Sequence, residues 1–339
     1  MVMQEAIRAL VETGTLDASL AASAMEQIMT GSATPGQMGA FLAALRVRGE
    51  TPEVVAACAK VMQAHAEPVL VSNVIDIVGT GGDGRDTINV STAAAIVVAA
   101  AGGRVAKHGN RAASSKSGSA DVLEALGART DLGGPAVAKV IDACGFCFLF
   151  AQRFHPAMRH VGGVRREVGV RTIFNILGPL TNPANPCGLL AGAGTAATAP
   201  LMAQAFALRG LARTIVVHSA DGLDEISPAG STHAWFVDDG TIIERELHPR
   251  DFGLPVHPIE SVVGGSPEYN AGKLLAVVDG VEGPAADFVV MNAAAGCYVA
   301  GLAPDLASGA LMAQEAIASG RAREVLDHYV SLTHEVMDG

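Results

Sequence analysis

Val74-Ile75-Asp76-Ile77-Val78 runs directly into Gly79-Thr80-Gly81-Gly82-Asp83-Gly84. A short β-branched run that stops in glycines reads as a buried strand followed by a tight backbone loop. A helix is predicted from about Ser91 to Ala101, ended by Gly102-Gly103, and then a second short strand, Arg104-Val105-Ala106. Further strands are expected at 146–150, 189–192, 214–218 and 234–237. Helical patterns intervene, one ending at Leu126 before Gly127 and others at 201–208 and 287–299. Strands alternating with helices predict an α/β fold whose central sheet is mostly parallel and covered on both faces.

Upstream of Val74 the period is helical. Ile7, Leu10 and Val11 mark one apolar face, and Ala21, Ala24, Met25, Ile28 and Met29 a second, behind Asp17 as N-cap. Two more helices open with Thr34-Pro35 and Thr51-Pro52, where threonine caps free amides and proline at the first position loses no hydrogen bond. A small all-helical module therefore precedes the sheet.

At 339 residues the chain suits about two domains. Its formal charge of -11 opposes a general nucleic-acid binder and makes any local cationic cluster informative. The longest apolar run, 93–101, is far shorter than the ~20 residues that span a bilayer. No basic segment followed by an apolar stretch opens the chain, so a cytoplasmic location is expected. The five cysteines form no scaffold pattern, and Cys144-Gly145-Phe146-Cys147 lies among strand-like apolar residues, which favours core packing over redox chemistry.

Gly79-Thr80-Gly81-Gly82-Asp83-Gly84 satisfies the glycine spacing of a dinucleotide turn, yet no helix opens at its last glycine. The next strand carries Arg104 rather than a ribose-binding acid, and no Gly-Lys-Ser/Thr follows for a Walker loop. What remains is a backbone loop whose amides can face an anion. Asn89-Val90-Ser91-Thr92 opens the following helix; an N-cap is the plain reading, and free amides there can also hold phosphate. Its hydroxyls could bind phosphate oxygen or a hard cation.

Lys107-His108-Gly109-Asn110-Arg111-Ala112-Ala113-Ser114-Ser115-Lys116-Ser117-Gly118-Ser119 is the most specific stretch. Between Arg104 and Lys116 stand four cations (Arg104, Lys107, Arg111, Lys116) and no acid. A solvated basic loop is the bland reading; a basic loop after one strand and a glycine loop after the previous one point instead to one polyphosphate ligand. Asp224-Glu225, in a loop after an apolar strand, are then natural oxygen ligands for Mg²⁺. Arg159, Arg165, Arg166 and Arg171 precede Asn175-Ile176-Leu177-Gly178-Pro179-Leu180-Thr181-Asn182-Pro183, and arginine forks suit carboxylates.

Taken in order, these stretches resemble the anthranilate phosphoribosyltransferase family over essentially the whole chain. The GTGGD loop at 79–83, N-x-S-T at 89–92, KHGNR…SSKSGS at 107–119, R-H-V…V-R-R-E at 159–167, the R-T-I-F-N run at 171–183 and D-G-L-D-E at 221–225 carry the likeness. The resemblance implies contacts to phosphoribosyl diphosphate (PRPP) from Gly79, Gly82, Asp83, Thr87, Asn89, Val90, Ser91, Thr92, Lys107, His108, Gly109, Asn110, Arg111, Ala112, Ala113, Ser114, Ser115 and Ser119. It implies anthranilate contacts from Gly79, Asn110 and Arg165, and Mg²⁺ ligands Ser91, Asp224 and Glu225, with two ions per subunit.

The implied fold is a small helical domain, 1–70 with a returning segment at about 165–183, and a large α/β domain, 71–164 and 184–339. Homodimers through the helical domain are expected, with neither nucleic acid nor membrane as partner. Ala112-Ala113 and Gly163 depart from the family pattern, at positions that bear on loop stiffness. The implied reaction moves the 5-phosphoribosyl group of PRPP to the amine of anthranilate, in tryptophan biosynthesis, without an assigned general base. Competing readings are a pyrimidine nucleoside phosphorylase, which should not need the Asp224-Glu225 pair or Arg165, and a non-catalytic nucleic-acid-binding relative.

Overall fold

Three of the N-terminal helices begin where a side chain satisfies their first free amides. The computed structural model describes residues 2–112, 115–211 and 213–336. Its first helices are Val2–Arg8, continued by a wider π turn Ala9–Thr13, then Ala18–Met29, Pro35–Arg48 and Pro52–Ala64. Asp17 accepts the Ser19 and Leu20 amides, Thr34 forms a reciprocal capping box with Gln37, and Thr51 accepts the Val54 amide.

The strands are β1 Ile75–Gly79, β2 Val105–Gly109, β3 Phe146–Phe150, β4 Gly188–Gly192, β5 Arg213–Ser219, β6 Thr232–Asp238 and β7 Thr241–Leu247. Their order is β3-β2-β1-β4-β5-β6-β7, parallel from β3 to β5 and antiparallel at β6 and β7. The expected mostly parallel sheet is present, but β7 was not anticipated. Asp239 and Gly240, both at positive φ (45° and 78°), make the two-residue turn that returns β6 into it.

Alternate residues of the strands face opposite layers. Leu190, Ile215, Val217, Ala234 and Phe236 join one apolar cluster with the helices Val90–Ala100 and Pro284–Val299. Leu189, Ala191, Val216, Trp235 and Val237 join the other, with helix Thr198–Arg209 and the N-terminal helices. The helical module thus packs against one sheet face rather than standing apart.

The chain steps from β1 to β2 and β3 on one side, then resumes with β4 on the other side of β1. That reversal leaves a crevice beyond the carboxyl ends of β1 and β4, where such sheets bind ligands. Gly79 and Gly192 end these two strands and are partners in the ladder.

Candidate active site

Two bare strand ends let an acidic loop lie across the crevice. A Cβ added at Gly79 would collide with the Asp224 carboxylate, and one at Gly192 with the Asp224 carbonyl. Asp224 Oδ2 accepts the Gly81 amide at 2.7 Å. Gly81, Gly82 and Gly84 all take left-handed φ angles (69°, 72° and 74°), which glycine adopts without strain. Arg171 reaches back to donate to the Gly82 carbonyl, and Asp83 Oδ1 accepts the Arg85 amide at 3.2 Å.

Helix Val90–Ala100 starts beside that loop, with Asn89 at the N-cap position but making no side-chain cap bond. The backbone of Ser91 hydrogen-bonds the Glu225 carboxylate, so an acid sits on the positive end of the helix. Lys107 is 1 % exposed; its Nζ donates to the Ile77 carbonyl at 2.6 Å and to Ser91 Oγ at 3.1 Å. Burial raises the pKa of both Asp224 and Glu225, and Asp83 pushes both further up. Burial lowers the Lys107 pKa, against the opposing pull of Asp76, Glu225 and Asp224.

A small cavity of about 10 Å³ is lined by Gly79, Ser91, Gly192, Asp224 and Glu225 among others, room for roughly one water-sized sphere. Among the described residues no cluster of three or more His, Cys, Asp or Glu could hold a metal by itself. Two under-compensated carboxylates and a hydroxyl, all oxygen donors, do fit Mg²⁺, which combines one or two carboxylates with water and substrate phosphate.

The basic segment is less free than its composition implies, and the acid-free picture needs correcting. Arg104 pairs with Asp142 at 2.7 Å, and Arg111 makes a fork to Glu124 at 2.5 and 2.6 Å with a further contact to Asp121 at 3.2 Å. These acids lie outside 104–116 and arrive through tertiary packing. Lys116 and Ser115 are exposed, Ala112 donates its amide to Asp121 at 2.9 Å, and Ala113 and Ser114 lie outside the described residues. Asn110 Oδ1 accepts the Arg111 amide and Gln152 Nε2, while Gly109 ends β2 against Ser119, the first residue of helix Ser119–Ala125.

Other expected contacts divide. Asn89 is tied to Ser117 and to Asn270 of helix Pro267–Val278, which joins the two loops. Thr87 bridges to Val263, and the Thr92 hydroxyl is buried without a hydrogen-bond partner. Val90 turns its side chain into the core and its amide to the Ile88 carbonyl, so it presents neither to the crevice.

Arg165 lies on helix Gly162–Val168, half-buried, with its guanidinium 5.4 Å from the centre of the Phe174 ring. No acid pairs with it among the described residues, and burial lowers its pKa. That leaves a planar fork for a carboxylate. His108 and His155 pack side by side, 5.1 Å between ring centres, both with Nε2 unpartnered. Burial, with His155 adding to it, pushes His108 down to about 3.

Sequence reasoning passed over Asp76, His155, Asn182 and Asn270. Only Asp76 carried a local signal, as a charge inside an otherwise apolar strand.

Comparison with known proteins agrees with this geometry. A glycosyl transferase family a/b-domain model matches residues 71–323, and the helical bundle domain model of that family matches 4–66. The anthranilate phosphoribosyltransferase of Acetivibrio thermocellus is 45% identical over 334 residues, covering 98% of this chain and 97% of that protein. A crystal structure of anthranilate phosphoribosyltransferase from Thermus thermophilus superposes with a TM-score of 0.92 at 44% identity, over 97% of this chain and 99% of that one. The Saccharomyces cerevisiae anthranilate phosphoribosyltransferase in complex with PRPP and Mg superposes with a TM-score of 0.91 at 31% identity, over 98% of each chain. With identity at this level running through both the helical and the α/β parts, the chain belongs to the anthranilate phosphoribosyltransferase family.

Proposed function

We propose that this chain transfers the 5-phosphoribosyl group of PRPP to the amine of anthranilate, giving N-(5-phosphoribosyl)anthranilate and pyrophosphate, in tryptophan biosynthesis. The observation that carries the reading is the convergence of Ser91, Lys107, Asp224 and Glu225 at the β1–β4 switch point. Relatives along the full chain support it over the phosphorylase and nucleic-acid-binding readings.

In this reading the glycine-loop amides, the start of helix Val90–Ala100, Lys107 and the loop from His108 to Ser119 surround PRPP. Ser91, Asp224 and Glu225 would hold Mg²⁺, two ions per subunit, together with oxygens of the bound substrate. Bound there, Mg²⁺ supplies charge neutralisation for the departing pyrophosphate. Lys107 adds a cation whose position is fixed by Ile77 and Ser91 before ligand arrives.

Arg165 holds the anthranilate carboxylate, and Gly79 and Asn110 border the ring. The amine forms a bond to C1′ as the C1′–oxygen bond to pyrophosphate breaks, and then gives up a proton to water. An aromatic amine is neutral at pH 7, so orientation rather than a strong base lowers the barrier. His108, with its pKa pushed down to about 3, is neutral at pH 7 and too weak a base to draw the proton from the amine.

The same reading divides the chain into a helical domain, 1–70 with 165–183, and an α/β domain, 71–164 with 184–339. Val161, Val164, Ile173, Phe174, Ile176, Leu177 and Leu180 share one apolar cluster with the N-terminal helices, which supports the returning segment. A groove of about 700 Å³ lined by Ala43, Arg46, Val47, Val168, Val170 and Arg171, with Val47 and Val170 exposed, supports a homodimer through the helical domain. No helix among the described residues is long and apolar enough to cross a membrane, and the cytoplasm is the proposed location.

Anthranilate fluorescence followed in the presence of PRPP and Mg²⁺ tests the assignment. Signal should fall with PRPP and hold steady with EDTA. Folded protein that leaves anthranilate unchanged under these conditions would overturn it.

A further inference from the structure

The seam between β1 and β2 is nearly without a ladder. Every residue of β1 has a partner on β4 and every residue of β2 one on β3, but β1 and β2 register only at Ile75 and Val105. Beyond that pair, side chains occupy the gap. Asp76 Oδ1 accepts the His108 amide at 3.2 Å, and Asp76 Oδ2 accepts Asn182 Nδ2 at 2.8 Å. The same Nδ2 donates to the Ala106 carbonyl at 2.7 Å, and Lys107 Nζ donates to the Ile77 carbonyl at 2.6 Å. Asn182 is itself fixed, because its Oδ1 accepts the Ala184 amide at 2.8 Å and its carbonyl accepts Gln63 Nε2 at 2.6 Å.

A fully buried carboxylate in a strand is expensive, and a β-branched residue would fill the place more cheaply. Asp76 is 0 % exposed and Asn182 2 % exposed, and neither lines the cavity between Ser91, Asp224 and Glu225. What they do touch is the β2 backbone on either side of Lys107, two residues before the strand ends and the cationic loop begins. Asp76 fixes the His108 amide, and Asn182 fixes both Asp76 and the Ala106 carbonyl just before Lys107.

We infer that Asp76 and Asn182 are positioning residues for PRPP: together they hold β1 and β2 apart beyond the Ile75–Val105 pair and set the buried Lys107 beside Ser91. The inference rests on the reading of Lys107 as a phosphate ligand. Asn182 also joins this frame to Gln63 in the helical module, so its hydrogen bonds span the region between module and sheet.

The test is steady-state kinetics on the full chain for wild type, Asp76→Asn, Asn182→Asp and the exchanged pair Asp76→Asn/Asn182→Asp. Each single change sets two donors or two acceptors face to face between positions 76 and 182, whereas the exchange restores one donor against one acceptor there and leaves a carboxylate oxygen facing the Ala106 carbonyl. Each single variant should raise the KM for PRPP about tenfold or more while the KM for anthranilate moves less than about threefold. The exchanged pair should recover part of the loss, with a PRPP KM at least about threefold below that of Asn182→Asp.

Equal rises in both KM values, unchanged values in the single variants, or no recovery in the folded exchanged pair would overturn the inference. If the single variants do not fold, hydrogen exchange at the His108 amide of wild type decides. Strong protection that increases with PRPP supports the positioning, and exchange at a free-amide rate refutes it. Absence of wild-type turnover would remove the functional reading, whereas wild-type turnover with indifferent variants removes this inference alone.

Discussion

Asp224 Oδ2 accepts the amide of Gly81 at 2.7 Å, tying together two segments 143 residues apart. The bond orients a buried carboxylate against the end of β1 while burial and Asp83 keep its pKa raised. An acid held in place but only partly compensated stands ready for a cation. Glu225, also raised and facing the start of helix Val90–Ala100, shares that condition.

Neutralising either acid should therefore lower activity and raise stability. Asp224→Asn keeps an acceptor for Gly81 but loses charge, and Glu225→Gln does the same at the helix start. With Mg²⁺ present, kcat/KM is expected to fall by about a hundredfold or more in each. In EDTA the thermal midpoint should rise. Because both pKa values are raised on folding, the native state holds these protons more tightly than the unfolded chain, so stability falls as pH rises through the raised range. The advantage of the variants should be largest at pH 8 and close on acidification. Melting curves in EDTA at pH 8 and pH 4.5 check this, and lower midpoints for both variants at pH 8 would contradict it.

Gly79→Ala and Gly192→Ala should separate by what the new methyl meets. At Gly192 the obstacle is the backbone carbonyl of Asp224, whereas at Gly79 it is the Asp224 carboxylate, which can turn aside. Overpacking of this kind costs about 1–3 kcal/mol. Gly192→Ala should take the larger stability loss in urea unfolding. Gly79→Ala should stay folded and need roughly tenfold more Mg²⁺ for half-maximal rate, since its carboxylate has been displaced. Equal Mg²⁺ dependence in wild type and Gly79→Ala would show that this carboxylate does not meet the ion.

The parts of this architecture that were legible in the sequence are those set by local chemistry. Asp17, Thr34 and Thr51 satisfy amides within one helical turn, so their caps could be read directly. The glycines after β1 likewise announce their turn. β7 hides because Glu244, Arg245 and Glu246 are exposed on an edge strand, leaving Asp239-Gly240 as its only strong sign. Lys107, Asp224 and Glu225 were legible as chemistry, but the pairing of Arg111 with Glu124 and of Arg104 with Asp142 depends on helices that return in space. Asn182 and Asn270 carry no local mark, because their partners Asp76 and Asn89 lie 106 and 181 residues away.

Arg165 should discriminate between the two substrates. Its guanidinium lies over Phe174 without an acidic partner among the described residues, so an incoming carboxylate would meet a preset fork. Arg165→Ala should raise the KM for anthranilate by roughly ten- to a hundredfold and leave the PRPP KM within about twofold. Arg165→Lys should recover only part of the loss, because an ammonium lacks the planar fork. Kinetics with each substrate varied in turn check this, and a rise confined to the PRPP KM would assign the residue elsewhere.

His155 offers a test of the buried histidine pair. Burial pushes its pKa down to about 4 and that of His108 to about 3, so both are neutral in the fold. The unfolded chain takes up these protons near pH 6.5, so stability present above that pH is lost as pH falls toward the folded values. Each histidine contributes up to about 1.4 kcal/mol per pH unit across that window. His155→Gln loses packing against His108, which makes it the less stable protein at pH 7, but it no longer titrates. Its deficit relative to wild type should shrink as pH drops from 7 to 5 and tend to reverse below that. Other groups, including the raised Asp76, act on both proteins alike and cancel in the difference. Urea unfolding of the pair at pH 7, 6 and 5 gives the answer, and a constant gap across the series would mean that His155 takes its proton in the folded state as readily as in the unfolded one.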